Sequence, residues 1–322
     1  MKDIQIAIIG AGIGGMTAAV TLAQKGFKVK VFEQAPELSE VGAGLTVTPN
    51  ATKGLIYLGL GEAMNKIGMA HDLQGVRHYQ TKEIIVPLKR GKHMLEKYGA
   101  YQFQVHRADI HDILIESLEK HSPGCVSIDH QLVGIDQKSD RVKLIFNNQA
   151  EYECDFVIGA DGTRSAVRKS ILGNDEPEFS GYVAWRGIVP TDGLDESDFD
   201  ECGSCAFISP GRVFARYLIR DAKEYNYVAF LATDEWAEEG WSIPSKVETV
   251  LETFSDYNQQ VKNIISATPP EGCYKWGIFT RQPIAKWSSE RVTLLGDAAH
   301  PLEPFMGQGA SMAIEDGVVL GR

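Results

Sequence analysis

The sequence predicts an α/β protein in which a Rossmann-like dinucleotide-binding fold is interrupted by a mainly antiparallel β-sheet. Three observations carry this prediction. The chain opens as strand, glycine turn, helix, strand over Ile4 to Glu33. Short apolar runs of the same buried kind return far downstream, at Asp155–Gly159 and Val292–Leu295. Between about 176 and 275 the pattern changes to alternating strands, which suit a sheet with two different faces.

The elements follow in order. Ile4, Ile6, Ala7, Ile8 and Ile9 read as a strand covered on both sides. Met16–Lys25 carries Ala18, Ala19, Leu22 and Ala23 on one stripe, with Gly26 as its stop. Lys28–Glu33 returns to strand. Arg107–His121 repeats Ile110, Ile113, Leu114 and Leu118 at helical spacing, and Arg141–Phe146 alternates as a half-buried strand. Tyr182–Val189, Val213–Ile219 and Tyr227–Ala232 read as antiparallel strands, with Arg220–Asn226 as the polar turn between the last two. Ser245–Ala267 is mainly helical, and the chain is helical again from Gln308. The nucleotide domain is thus expected from residues 1–75, 100–175 and 276–322, and the inserted domain from 76–99 and 176–275. Because the chain stops at Arg322 inside its last helix, further C-terminal helices are expected to be missing.

Composition narrows the function. The formal charge of −11 disfavours a phosphate-backbone partner, so nucleic acid is excluded. No apolar run reaches the ~18 residues of a membrane span, and the N-terminus lacks a leader pattern, so a cytoplasmic protein is expected. Five scattered cysteines fit a reducing compartment. Cys202 and Cys205 form a CxxC, read as two thiols in a loop because no second pair of metal ligands matches it.

Gly10-Ala-Gly12-Ile-Gly14-Gly15 satisfies GxGxxG between a strand and a helix. Gly10 permits the tight turn, Gly12 lets backbone approach a pyrophosphate, and Gly15 allows close helix-to-strand packing. The helix N-terminus offers unpaired N–H groups to the phosphates. Glu33, closing the next strand, is placed to accept from an adenosine ribose and would repel a 2′-phosphate. The site therefore suits FAD or NAD. A nicotinamide dehydrogenase would leave the C-terminal glycine cluster without a role.

Three further segments decide between them. Asp155-Phe-Val-Ile-Gly-Ala-Asp161-Gly162-Thr-Arg-Ser165-Ala-Val-Arg168, Gly296-Asp297-Ala-Ala-His300-Pro301 and Phe305-Met-Gly307-Gln308-Gly309-Ala310 resemble the DG motif, the GD motif and the following glycine turn of the single-component class A FAD-dependent aromatic monooxygenases, of the salicylate hydroxylase and 6-hydroxynicotinate monooxygenase type. The resemblance runs from Ile4 to Arg322. It implies the glutathione-reductase-type flavin fold and FAD as cofactor, with NADH or NADPH as a transient reductant. It further implies O2 as co-substrate, a flavin C4a-hydroperoxide, and a small aromatic substrate that is hydroxybenzoate-like or a hydroxylated N-heteroaromatic.

The same resemblance places Asp297 at the ribityl chain and Gly307–Ala310 at the flavin pyrimidine edge. It places Arg107 at the phosphates or ribityl chain and Pro301 beside the ring. It also sets Gln34, Gly44 and Leu132 against the cofactor, with the Val41–Leu45 loop crossing the ring. Asp161 and Arg168 are expected on the pyrophosphate side or along the nicotinamide approach. His300 reads as structural. Tyr217 is the candidate substrate-orienting residue, on the strand face shared with Val213, Ala215 and Ile219. Arg216 lies on the opposite face, to pair an acid or meet solvent. Val213 and Thr46 stand where family members carry His, so the general base is left open. A halogenase or reductase on the same fold stays an alternative: Glu239-Gly-Trp241-Ser-Ile-Pro244 partly matches the halogenase WxWxIP. So does a truncated, non-catalytic flavin-binding protein. The oligomeric state is a monomer or a homodimer.

Overall fold

The computed structural model describes residues 3–38, 43–137, 140–173, 175–234, 236 and 243–322. Val41 and Gly42 of the ring-crossing loop, and Glu239 to Ser242 of the partial halogenase motif, lie outside the described residues. Strands and helices are numbered along the chain.

Five parallel strands form the central sheet: β1 (Gln5–Ile9), β2 (Lys28–Phe32), β7 (Val126–Ser127), β11 (Phe156–Gly159) and β18 (Val292–Leu294). Their order is β18-β11-β1-β2-β7. The chain leaves β1 toward β2 on one side while β11 pairs its other side, so the strand order switches direction at β1. Ligand crevices form at such points, outside the C-terminal strand ends. Helix α1 (Ile13–Gln24) follows the glycine turn and is buried from Ile13 to Ala23. It packs on α5 (Arg107–His121) and on α9 (Gly309–Leu320). Gly317 makes that second crossing close, since a Cβ there would lie 2.8 Å from the backbone N of Ala18. Helices α2 (Pro49–Tyr57), α3 (Gly61–Ile67) and α4 (Gly91–Tyr98) complete this side. Strands β3 (Gly44–Val47) and β6 (Phe103–His106) pair antiparallel beneath them.

A three-stranded sheet of β8 (Leu132–Asp136), β9 (Val142–Phe146) and β10 (Glu151–Cys154) covers the other face, with α6 (Ala166–Leu172) beside it. Phe32, Phe146, Val157 and Leu294 join this layer to the parallel sheet.

The second sheet has eight strands in the order β16-β17-β12-β15-β14-β13-β4-β5. They are β4 (Leu73–His78), β5 (Ile84–Lys89), β12 (Glu178–Pro190), β13 (Ser204–Ser209), β14 (Arg212–Ile219), β15 (Glu224–Ala232), β16 (Ile243–Pro244) and β17 (Tyr274–Thr280). All pairs are antiparallel except β4 with β13. The sheet takes in residues on both sides of the expected borders at 76 and 275. Helices α7 (Val247–Thr253) and α8 (Gln259–Ser266) bury one of its faces around Trp185, Phe207, Phe214 and Tyr227.

Two expectations change here, and for Arg216 the structure chooses the acid over solvent. The β14–β15 turn is shorter than Arg220–Asn226. Arg220, Asp221 and Ala222 all take left-handed backbone, and the strand resumes at Glu224. Arg216 does not meet solvent. It is fully buried on the helix-covered face, donating to Asp200 at 2.6 Å and to the Cys202 carbonyl at 2.7 Å. The CxxC is not a loop pair either, because Cys205 lies within β13. Both thiols are buried, and burial pushes the Cys205 thiol up to about 12.

Candidate cofactor and substrate site

At the end of β1 the glycine turn has no room for side chains on two of its corners. Gly10 has φ +100°, and a Cβ there would lie 2.4 Å from the Ala160 carbonyl oxygen. A Cβ on Gly15 would lie 2.0 Å from the Gly10 oxygen. Gly12 is different: nothing lies within 4 Å of the position its Cβ would take. The turn is thus tight toward the protein and open at Gly12. The first turn of α1 has no acidic residue and no side-chain cap, which leaves its N–H groups for an external acceptor.

Glu33 reaches back to this turn, accepting from the Ala11 N–H at 2.8 Å and the Ala35 N–H at 3.0 Å. Gln34 beside it is exposed. Leu132 opens β8 nearby, where the His130 N–H donates to the Glu33 carbonyl at 2.8 Å.

The second half of the site comes from the C-terminal segment. Leaving β18, the chain turns at Gly296, and Asp297 follows. Asp297 keeps solvent contact but is largely surrounded by protein. That enclosure pushes its carboxyl pKa up, and Arg107 and then His300 pull it back. One carboxylate oxygen lies 3.8 Å from where a Cβ on Gly309 would stand. Asp297 therefore faces the start of α9, which has no side-chain cap at Gln308 and no acidic residue in its first turn through Gly309 and Ala310. Gly307 has φ +60° and abuts the Thr46 side chain. The loop is pinned by Asp316, which accepts from the Gly296 N–H at 2.8 Å and pairs with His300 Nε2 at 2.6 Å. Pro301 follows directly. Arg107 starts α5, and its N–H donates to the Ala43 carbonyl at 2.8 Å.

These two halves are neighbours. A Cβ on Gly14 would lie 2.8 Å from Leu295 Cδ1 and 3.0 Å from Ala313 Cβ. The glycine turn and the C-terminal loop therefore share a wall, although about 280 residues separate them in sequence.

The DG segment does other work than expected. The Asp161 carboxylate accepts from the Ser165 hydroxyl and from the Val167 N–H at 3.1 Å, which supports the cap of α6 at Ser165, whose hydroxyl accepts from the Arg168 N–H at 2.8 Å. Arg168 is turned inward, to Asp175 and to the carbonyls of Ala298 at 3.1 Å, Ala299 at 2.9 Å and Gln282 at 3.3 Å. Its guanidinium clips the DG helix to the GD loop and is spent on internal acceptors. A polar run in a motif shows that charge is needed there, and only the packing shows where it is used.

Facing this cleft is the open side of the large sheet. Trp276, Ala184, Phe230 and Val213 form one row across four strands. Tyr217 and Asn226 stand opposite each other further along. Phe305, from the C-terminal loop, packs on Tyr182 and on Phe230, each at 5.0 Å between ring centres. A Cβ on Gly44 would lie 2.6 Å from Tyr217 Cε2 and 2.7 Å from Asn226 Cγ. Burial pushes the Tyr217 hydroxyl well above the ordinary tyrosine range, so it stays protonated and acts as a donor. Sequence reasoning missed Asn226 and Phe305 as wall residues. Asn226 had a signal, being a polar residue between two tyrosines in an otherwise apolar strand.

Two cradles of bare backbone at uncapped helix starts, one open glycine and a carboxylate between them suit an elongated ligand, anionic in the middle and rich in hydroxyls. FAD has that chemistry, and the donor set fits it. The fold and site thus define a flavoprotein with a separate substrate sheet. The comparisons agree: a family model described as FAD binding domain matches residues 3–322, and the chain belongs to that family. It is 36% identical over 99% of its length, and 82% of the relative's, to a 6-hydroxynicotinate 3-monooxygenase of Pseudomonas fluorescens. It is 33% identical over 100% of its length, and 80% of the relative's, to a 3-hydroxybenzoate 6-hydroxylase of Klebsiella oxytoca. The solved structure of Klebsiella pneumoniae HpxO complexed with FAD and uric acid superposes with a TM-score of 0.87 at 27% identity, covering 99% of this chain and 79% of that one. The protein is an FAD-dependent monooxygenase of the aromatic hydroxylase class. Among the described residues no helix is long and apolar enough to cross a membrane.

Proposed function

We propose that this protein uses NADH or NADPH and O2 to hydroxylate a small aromatic substrate, either a hydroxybenzoate-like acid or a hydroxylated N-heteroaromatic. Its named relatives act on such rings. The observation that carries the reading is the sheet face on which Tyr217 and Val213 stand beside Asn226 and Phe230, with Gly44 against Tyr217 and Phe305 of the C-terminal loop against Phe230. When bound, the flavin accepts electrons from the nicotinamide and delivers them to oxygen.

The chain's own residues have four tasks. Gly10, Gly12, Gly14 and Gly15, with the start of α1, receive the pyrophosphate, while Glu33, Gln34 and Leu132 receive the adenosine end. Arg107 and Asp297 hold the central chain through its charge and its hydroxyls. Gly307, Gln308, Gly309 and Ala310 present N–H groups to the pyrimidine edge, where a helix start favours negative charge. Asp161 supports this site through the backbone that underlies Gly10. Pro301 shapes the space above the ring. Phe305 packs on Tyr182 and Phe230 and covers part of the sheet face that Val213 shares. Tyr217 donates to a substrate oxygen, and with Val213 and Thr46 in the His positions no imidazole takes the substrate proton there.

The protein is expected in the cytoplasm as a monomer or homodimer. The test is direct. Purified protein is yellow, and an aromatic acid accelerates NAD(P)H oxidation and O2 uptake and yields a hydroxylated product. Colourless protein that takes up no FAD contradicts the cofactor assignment. Yellow protein that gives only H2O2 with every aromatic acid contradicts the hydroxylase reading and favours other chemistry on this fold.

A further inference from the structure

Asn226 is fully buried at the centre of β15, directly across from Tyr217. Its Oδ1 accepts from the Gly44 N–H at 2.6 Å. Because that backbone group can only donate, the amide has one permitted orientation. Its Nδ2 must then point away from Gly44, and it has no hydrogen-bond partner. Buried donors are nearly always paired, so a lone one on the sheet face that carries Tyr217 leaves a place for an acceptor from a ligand. The Tyr217 ring and the Asn226 amide lie against the same point of Gly44. The tyrosine hydroxyl is a second donor, and burial alone perturbs it. Val213 and Thr46 supply neither a base nor a cation.

We propose that Asn226 Nδ2 and the Tyr217 hydroxyl form a donor pair that binds a ring-borne oxygen of the substrate, a phenol bound as phenolate or the carbonyl of a lactam. This deepens the hydroxylase reading and rests on it. The phenolic proton is lost to bulk water before the substrate enters, not to a protein base, and the two donors hold the negative charge that remains. An electron-rich ring results without the histidine that Val213 replaces. One side chain serves two ends: the amide oxygen fixes β3, and the amide nitrogen reads the substrate.

Asn226→Asp tests this, because it keeps an acceptor for Gly44 and deletes the donor. The variant is expected to fold and retain FAD, with a lowered melting temperature because the new carboxylate is buried. Its KM for the phenolic substrate rises at least tenfold, its yield of product per NAD(P)H falls, and the acidic limb of its kcat profile moves to higher pH. A folded, FAD-loaded variant with wild-type KM, coupling and pH profile overturns the proposal. A second measurement holds even if the variant does not fold. Wild-type protein, followed by flavin absorbance, is expected to bind 3-hydroxybenzoate at least tenfold more tightly than benzoate, and equal affinities overturn the donor pair. Wild-type protein that binds with this preference yet hydroxylates nothing contradicts only the proposed function.

Discussion

Glu33 and Ala11 are joined by a 2.8 Å hydrogen bond from backbone N–H to carboxylate, so the end of the second strand holds the glycine turn that follows the first. The second oxygen takes the Ala35 N–H at 3.0 Å and fixes the carboxylate in place. The carboxylate proposed for the adenosine end thus also braces the turn proposed for the pyrophosphate.

Glu33→Ala removes both bonds. Charge-assisted hydrogen bonds of this kind contribute about 1.5–3 kcal/mol each. The variant is expected to melt earlier and to lose flavin on gel filtration, whereas Glu33→Gln keeps one acceptor and most of the fold. Equal flavin content in Glu33→Ala and wild type would show that the carboxylate is dispensable.

Two glycines of one turn separate folding from binding. Gly15→Ala places a Cβ 2.0 Å from the Gly10 oxygen, and something must move, so soluble yield and melting temperature should fall. Gly12→Ala meets nothing within 4 Å and should fold normally, with weakened FAD affinity because its methyl enters the space reserved for phosphate. Titration of apoprotein with FAD, beside thermal melts, distinguishes the two.

Asp297 makes the converse case. Enclosure disfavours its charge without a ligand. Asp297→Asn relieves that strain, so the apoprotein is expected to be at least as stable as wild type while FAD affinity drops about tenfold, the worth of roughly one hydrogen bond. Unchanged FAD retention would remove Asp297 from the site.

The His300–Asp316 pair gives a pH dependence. The hydrogen bond to Asp316 raises the His300 pKa above its ordinary 6.5. A group whose pKa is raised by folding stabilises fully below its unfolded pKa, and that gain is lost as pH climbs through the folded value. The stability difference between wild type and His300→Gln should be largest in mild acid. It should shrink across the window that opens at 6.5 and extends upward. A difference that stays flat with pH, read from urea melts, would mean that the imidazole is uncharged in the pair.

Much of this was legible before any coordinates. The period of α5, Arg107–His121, is recovered to the residue, because an amphipathic stripe records one buried face. Gly10 to Gly15 and Glu33 were readable because backbone space and charge leave few residue choices. Arg168 was not, and for Arg216 only the choice between an acid and solvent was. Each is an arginine in a polar-looking context, and their acceptors are distant in sequence or lie in a loop of no pattern. The paired strands β3 and β6 were missed because four residues carry too little periodicity.

The sequence by itself determined the fold class, the glycine turn and the three motif segments, since each is a local pattern imposed by backbone geometry. Tertiary structure alone decided that Gly14 meets Leu295 and Ala313, that Asp297 faces Gly309, and that Asn226 stands behind Tyr217 against Gly44. Such contacts join residues far apart along the chain. Only packing, which minimises empty space and unpaired polar groups, specifies them.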